Sequence, residues 1–157
     1  LPESVSVFLV KDTKEGTGRM CRFHRLRFNI PVIGVTGSNG KTTTKDMISA
    51  VLGTTYSVCR TVANHNNEIG MCQTLLSLKK EHGACVVEMG MRGFGQIEEL
   101  CTFARPTIGV VTNVGTSHIG ILGSEDNMRR KGERRTGRSL GSEGTAILNG
   151  MMHVYWR

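Results

Sequence analysis

The pattern of apolar and polar positions is regular through most of the chain. Short apolar runs rich in β-branched residues alternate with longer segments in which apolar residues recur at helical spacing. The runs predict buried strands at 32–35, 84–87 and 108–111, and a further strand at 145–148. The segments between them predict helices whose inner faces carry Met47, Ile48, Val51 and Leu52, then Ile69, Cys72, Leu75 and Leu76, then Ile97, Leu100, Cys101 and Ala104.

The order of these elements indicates the fold class. Continuous apolar strands separated by helices are typical of β-α-β units, in which helices cover a parallel sheet. We therefore expect an α/β fold with a mostly parallel sheet flanked by helices. Ahead of this regular part, residues 1–10 predict a short strand, and residues 12–28 predict a basic helix that Gly16 and Gly18 interrupt.

Composition narrows the class of protein. The chain has 157 residues, of which 38% are hydrophobic and 5% aromatic, and this fits one soluble domain. No apolar run approaches the roughly 20 residues of a membrane-spanning helix, so we expect a cytoplasmic protein with no membrane partner. The five cysteines are odd in number and form no CxxC pair, which favours buried free thiols over disulfides or a metal site.

The net charge of +7 raises the question of a nucleic-acid partner. The excess positive charge is concentrated in residues 19–27 and 129–138. The second cluster contains no aromatic side chain that could stack on a base. We therefore predict no nucleic-acid partner.

One stretch, PVIGVTGSNGKTTTKDM at residues 31–47, carries the clearest chemistry. A strand that enters a glycine turn and then a helix forms an anion site, which indicates a sheet of P-loop type. Gly37 and Gly40 would permit the tight turn, Lys41 would reach the terminal phosphates, and the Thr42 hydroxyl would bind magnesium. The strict P-loop spacing has glycine where this chain has Val35, so the loop is a variant, and the alternative is a solvated turn with a surface lysine. The residues predicted to wrap the phosphates are Thr36, Gly37, Ser38, Asn39, Gly40, Lys41, Thr42 and Thr43.

The variant loop is the first of five blocks within residues 29–150. In order they are GVTGSNGKTTTKDM, NHNNEIGMCQTLL, VVEMGMRGFGQIEEL, PTIGVVTNVGTSHIGILGS and GTAILNG. Together they resemble the Mur ligases, ATP-dependent amide-forming enzymes of bacterial peptidoglycan synthesis. The resemblance implies ATP and Mg²⁺ as cofactors, and an intact enzyme that adds D-Ala-D-Ala to UDP-MurNAc-tripeptide through an acyl phosphate. Another Mur-type or folylpolyglutamate synthetase-like ligase, or a noncatalytic nucleotide-binding remnant, is the alternative.

Four polar residues outside the loop gain a role from the resemblance. Glu88 ends a predicted strand, where it could equally hold magnesium or form a cap or ion pair; the resemblance implies a magnesium ligand. His118 would ordinarily be a polar loop residue, but the resemblance implies that it serves a second metal ion and catalysis. Asn66 and Asn67 could be turn formers, whereas the resemblance implies that they lie near the nucleotide phosphates.

Lys131 is the last candidate. The resemblance implies a catalytic lysine at this position, carbamylated in several members, whose negative group supports magnesium. The pattern NMRRKGE is one residue short, which on a helix would rotate the lysine by about 100° and pull it back by about 1.5 Å. A solvated basic face is the alternative for this segment.

The resemblance also implies a domain arrangement. Residues 1–29 would be a remnant of an N-terminal domain and linker, and residues 30–157 a partial central ATP-binding domain. Codons ATG ATG CAY for Met151 to His153, read one base earlier, give GAT GAT GCA and restore the Asp-Asp of the family pattern. We therefore predict that residues 151–157 are a frameshifted tail and that residues 130–139 carry a compensated pair of shifts.

Overall fold

A parallel β-sheet organises the chain, as the apolar runs predict. The structure, a computed structural model, describes residues 4–63, 65–91, 95–113, 140 and 144–149. The strands are β1 (Val32–Thr36), β2 (Ser57–Arg60), β3 (His82–Glu88), β4 (Ile108–Val111) and β5 (Thr145–Leu148). They lie in the order β2-β3-β1-β4-β5, and each neighbouring pair is parallel. The predicted fold class is confirmed.

Helices cover both faces of this sheet. They are α1 (Thr13–Arg25), α2 (Lys41–Leu52), α3 (Glu68–Leu76) and α4 (Gln96–Ala104). Helix α2 packs on one face, where Ile48 and Leu52 contact Ile33, Val35, Val86 and Val110. Helices α1, α3 and α4 share the other face with a larger cluster that includes Cys21, Leu75, Val87 and Leu100. The loops at the carboxyl edge of the sheet thus start between two helical layers.

The inner face of α4 is confirmed, whereas the predicted faces of α2 and α3 are partly wrong. Ile97, Leu100, Cys101 and Ala104 are all buried. In α2, Met47 and Val51 are 65% and 70% exposed, and the fully buried residues are Lys45 and Ser49. In α3, Ile69 is 69% exposed and Met71 is buried instead. Apolar spacing predicted the wrong buried face for α2, because it cannot anticipate that a lysine will find hydrogen-bond acceptors inside the fold.

The strands differ from the predictions in two places. The strand predicted at residues 1–10 is absent from residues 4–10, where Val7 and Phe8 are exposed. Strand β2 was not predicted, because its sequence SVCR contains no continuous apolar run. It forms at the edge of the sheet through parallel pairing with β3.

Helix α1 is part of the main core. The predicted helix 12–28 forms at Thr13–Arg25, and Gly18 does not break it. A Cβ at Gly18 would lie 2.4 Å from the Phe103 ring, so glycine allows α4 to approach closely. Near its end, the buried Arg25 guanidinium donates to the carbonyl oxygens of Ala104 and Phe28 at 3.0 and 2.6 Å. The domain boundary predicted near residue 29 stays a prediction.

The cysteine prediction is confirmed. Cys21, Cys59, Cys72, Cys85 and Cys101 are free and buried. Of the helices in the described part of the chain, none combines the length and apolarity required to cross a bilayer.

Candidate functional site

The carboxyl ends of β1 and β3 meet at a crevice in the sheet. The two strands are neighbours, with Val35 in register with Glu88. After β1 the chain runs to α2 on one face, and after β3 it runs to α4 on the other. Parallel sheets bind ligands where successive connections leave on opposite faces, because the two loops separate there. At this point the Thr36 hydroxyl donates to the Met89 carbonyl oxygen at 3.1 Å and joins the two strand ends.

The glycine loop has the conformation that its sequence predicts. Gly37 and Gly40 have φ angles of 137° and 78°, which glycine tolerates best. A Cβ at Gly37 would lie 2.1 Å from the Thr112 hydroxyl oxygen, whereas a Cβ at Gly40 would meet nothing within 4 Å. Helix α2 begins at Lys41 without a side-chain cap. The first-turn amides of α2 are therefore left for an anion on the open side of the loop.

A polar pair after β4 holds the loop in place. The amides of Ser38 and Asn39 donate to the backbone oxygen and Oδ1 of Asn113 at 3.0 and 2.8 Å. The Thr112 hydroxyl donates to the Asn39 carbonyl oxygen at 2.6 Å. Sequence reasoning missed both residues, although the position of Thr112 and Asn113 directly after a buried parallel strand was a usable signal. Because two loop amides bond to Asn113, the amides from Gly40 to Thr43 are the better candidates for phosphate contact.

Lys41 lies over the loop instead of extending into water. Its Nζ donates to the carbonyl oxygens of Gly37 and Ser38 at 2.7 and 3.1 Å. The ammonium group is thus held next to the first turn of α2. This geometry argues against the alternative of a solvated turn with a surface lysine.

Predicted site residues from different segments meet at the side chain of Glu88. Its side chain is buried, with 1% of the residue exposed. Oε2 accepts a hydrogen bond from the Thr42 hydroxyl, and Oε1 accepts one from the Asn66 amide, both at 2.9 Å. The Glu88 amide donates to the Thr61 hydroxyl at 3.0 Å. Residues from β3, α2 and the β2–α3 loop therefore converge on one carboxyl group.

The donors in this cluster suit a magnesium ion. Among the described residues, no lysine or arginine forms a salt bridge with Glu88. A buried carboxylate with only neutral partners favours a cation nearby, because uncompensated charge is costly in the interior. Magnesium prefers carboxylate and hydroxyl oxygens and usually keeps phosphate and water ligands as well. The described segments contain no group of three or more acidic, cysteine or histidine side chains that could hold a metal ion together, so the phosphates of a nucleotide would supply further ligands.

Asn67 and Asn66 have different roles in the structure. Asn67 caps α3, with its side chain accepting from the Gly70 amide at 2.9 Å. This contact fits the alternative in which the residue forms a turn. Both asparagines also line a cavity of about 120 Å³, together with Glu68, Gly90, Gln96 and Leu100. His118 and Lys131 lie outside the described residues, and their roles stay predictions.

Comparison with known proteins identifies the family. Residues 35–156 match the Mur ligase middle domain. The chain belongs to the Mur ligase family. One Mur ligase relative, from Synechocystis sp., is 56% identical over 125 residues, which are 80% of this chain and 28% of the relative. Another, from Bacillus subtilis, is 46% identical over 127 residues, which are 81% of this chain and 28% of the relative. Both relatives are named UDP-N-acetylmuramoyl-tripeptide--D-alanyl-D-alanine ligase.

Solved Mur ligase structures share the fold. MurF from Acinetobacter baumannii matches with a TM-score of 0.85 and 32% identity, over 94% of this chain and 33% of that one. MurF from Thermotoga maritima in complex with ADP matches with a TM-score of 0.84 and 30% identity, over 93% of this chain and 34% of that one. The chain thus spans about a third or less of the Mur ligases to which it is similar.

Proposed function

We propose that the intact protein is an ATP-dependent ligase that joins D-Ala-D-Ala to UDP-MurNAc-tripeptide, and that this chain carries its phosphate-binding site. The observation that carries the proposal is the contact of Thr42 and Asn66 with the buried Glu88, directly beside the glycine loop. The names of the relatives support the substrates, and the ADP complex of a structural neighbour supports the nucleotide.

The proposed chemistry explains the need for ATP. A carboxylate is a poor electrophile, because an amine that attacks it would have to expel oxide. Transfer of the γ-phosphoryl group of ATP to the tripeptide carboxylate gives an acyl phosphate and ADP. The amine of D-Ala-D-Ala then attacks the acyl carbon, expels phosphate, loses a proton and leaves an amide bond.

The residues of this chain would act on the charge of the phosphates. The Lys41 ammonium and the amides at the start of α2 would stabilise the charge that spreads over the transferring phosphoryl group. Thr42 and Glu88 would hold Mg²⁺, which supplies charge neutralisation between the phosphates when it is bound. Asn66 would keep the Glu88 carboxylate oriented. His118 and Lys131 are proposed for a second cation and for catalysis.

A second candidate is nucleotide binding without turnover by the 157-residue chain. Its support is that the chain spans only 28% of the Synechocystis and Bacillus relatives. Under both candidates the phosphate site is the same. The cytoplasmic location and the lack of a nucleic-acid or membrane partner stay predictions.

Two measurements test these candidates. Calorimetry with ADP and Mg²⁺ tests the phosphate site, and we expect Lys41→Met to weaken binding about tenfold or more through loss of a charge-assisted contact. Lys80→Met is the matched control, because Lys80 is exposed in the loop after α3. Phosphate release from ATP in the presence of UDP-MurNAc-tripeptide and D-Ala-D-Ala then separates a ligase from a binding protein. Failure of the unaltered chain to bind ADP would refute the site.

A further inference from the structure

We propose that Lys45 is a positioning residue for the cation site at Glu88. It would act through the loop between β2 and α3 and would not touch the nucleotide. The inference rests on the proposed function, because it concerns the same magnesium and phosphate site. It assigns a role to a polar residue of α2 that is buried although the apolar pattern did not place it on the inner face.

The surroundings of Lys45 leave its ammonium group without a spare donor. Only 2% of Lys45 is exposed. Nζ donates to the carbonyl oxygens of Thr61 and Ala63 at 3.0 and 3.3 Å, and it forms a salt bridge with Asp46 Oδ1 at 3.2 Å. An ammonium group has three donors, and these three acceptors account for them. Lys45 therefore differs from Lys41, whose ammonium lies over the glycine loop.

The position of Lys45 on α2 links it to the magnesium ligand Thr42. Residues three apart lie on the same side of a helix, one turn from each other. Thr42 contacts the Glu88 carboxylate, and Lys45 contacts the loop that runs alongside it. Helix α2 is thus connected to the cation site in two ways, directly through Thr42 and through the loop that Lys45 contacts.

The loop that Lys45 contacts forms hydrogen bonds with Glu88 at two points. The Thr61 hydroxyl accepts from the Glu88 amide at 3.0 Å. Further along the loop, Asn66 donates to Glu88 Oε1 at 2.9 Å, and its own carbonyl oxygen accepts from the Gly90 amide at 2.8 Å. A shift of this loop would therefore move the backbone of Glu88 and the partner of its side chain together.

The backbone at Ala63 provides a second, independent observation. Ala63 has a φ angle of 50°, in the left-handed region that alanine disfavours. Such conformations persist only where surrounding contacts enforce them, and they cluster at functional sites. The carbonyl oxygen of this residue is one of the two that Lys45 Nζ contacts. The lysine is thus a contact that can hold the strained turn closed.

A purely structural role for Lys45 makes a different prediction from a positioning role. We define the magnesium enhancement as the Kd for ADP in EDTA divided by the Kd in saturating Mg²⁺. Loss of a structural contact would weaken ADP binding equally in both conditions. Loss of a positioning contact would lower the magnesium enhancement, because only the cation site depends on Glu88.

The test measures this enhancement in the full 157-residue chain. Lys45→Met keeps the length of the side chain but removes its charge and donors, and we expect the enhancement to fall about tenfold, as is usual for residues that orient metal ligands. Lys80→Met should leave it unchanged. A folded Lys45→Met chain that keeps the full enhancement would overturn the inference. A wild-type chain that binds no ADP, or binds it without regard to Mg²⁺, would instead refute the proposed site itself.

If Lys45→Met does not fold, as judged by the loss of a cooperative unfolding transition, a second pair of variants tests the next step of the same route, from the loop at Thr61 to Glu88. Thr61→Ser keeps the hydroxyl that accepts from the Glu88 amide, whereas Thr61→Val keeps the shape of the side chain and removes that oxygen. We expect the serine variant to keep the enhancement and the valine variant to lower it severalfold. Equal enhancement in the two variants would overturn the inference.

Discussion

The two faces of the sheet are built in different ways. Among the described residues, the face covered by α1, α3 and α4 buries fourteen residues in its apolar cluster, and the face covered by α2 buries four. The side chains of α2 that are fully buried, Lys45 and Ser49, are polar. The first face therefore supplies most of the hydrophobic stabilisation, and the second relies on directed hydrogen bonds.

This difference matches what each face does. Apolar contacts are non-directional, so they stabilise a helix without fixing its rotation or depth closely. Hydrogen bonds weaken steeply with poor geometry, and buried polar groups must be satisfied. Helix α2 carries Lys41 and Thr42 into the phosphate site, where small displacements matter. A polar interface costs α2 some stability but specifies where its first turn lies.

The largest expected effect comes from truncating the apolar face. Leu75 is fully buried, so Leu75→Ala should lower the free energy of unfolding by about 2–5 kcal/mol through lost burial and a cavity. The matched change on the other face is Ile48→Ala, which removes a partly buried side chain and should cost about 1 kcal/mol. Urea unfolding measures both. Equal losses would contradict the claim that the face covered by α1, α3 and α4 supplies most of the hydrophobic stabilisation.

The next effect concerns the glycine loop on the polar side. Gly37→Ala places a Cβ against Thr112 and Asn113 at a φ angle of 137°. The loop must distort, and strain of about 1–3 kcal/mol should weaken ADP binding roughly tenfold or more. Calorimetry with Mg²⁺ measures the loss. Binding within twofold of the unaltered chain would show that the loop conformation is not required.

The parts that sequence patterns predicted are those with a local signature. Strands β1, β3, β4 and β5 follow from continuous apolar runs, and the face of α4 follows from its helical spacing. The glycine loop was predicted because glycines before a helix change the backbone in a recognisable way. For Glu88, its place at the end of a predicted strand left a magnesium ligand and a cap or ion pair equally open, and the resemblance supplied the magnesium role.

The parts that sequence patterns missed depend on contacts between distant segments. Lys45 and Thr61 are sixteen positions apart, and Asn39 and Asn113 are seventy-four apart. Neither pair has a periodicity or a turn signal that marks it. Burial of Lys45 becomes favourable only after β2 brings the Thr61 and Ala63 carbonyls to α2, so tertiary structure overrides local preference here.

A smaller effect is expected from the pair that holds the loop. Asn113→Ala removes the side-chain acceptor of the Asn39 amide, a neutral hydrogen bond with a net value of about 1 kcal/mol, so ADP should bind about fivefold more weakly. Asn113→Asp keeps the acceptor and adds negative charge near the phosphates. Its loss of affinity should shrink as salt screens the charge, whereas the loss in the alanine variant should not. Salt-independent losses in both variants would contradict this account.

The smallest expected effect is a gain in stability far from the site. Arg105 ends α4 with a φ angle of 46°, and its amide donates to the Cys101 carbonyl oxygen at 2.9 Å. Glycine is preferred at such a helix end, so Arg105→Gly should raise the free energy of unfolding by about 0.5–1 kcal/mol, after allowance for the greater freedom of the unfolded chain.

Ala63→Gly relieves the same kind of backbone strain, with φ of 50°, but in the loop that contacts Glu88. We expect the magnesium enhancement to fall only in the Ala63 variant, because the turn that Lys45 holds then has more conformations open to it. A fall in both variants, measured by calorimetry with and without EDTA, would indicate that backbone freedom anywhere in the fold reaches the site.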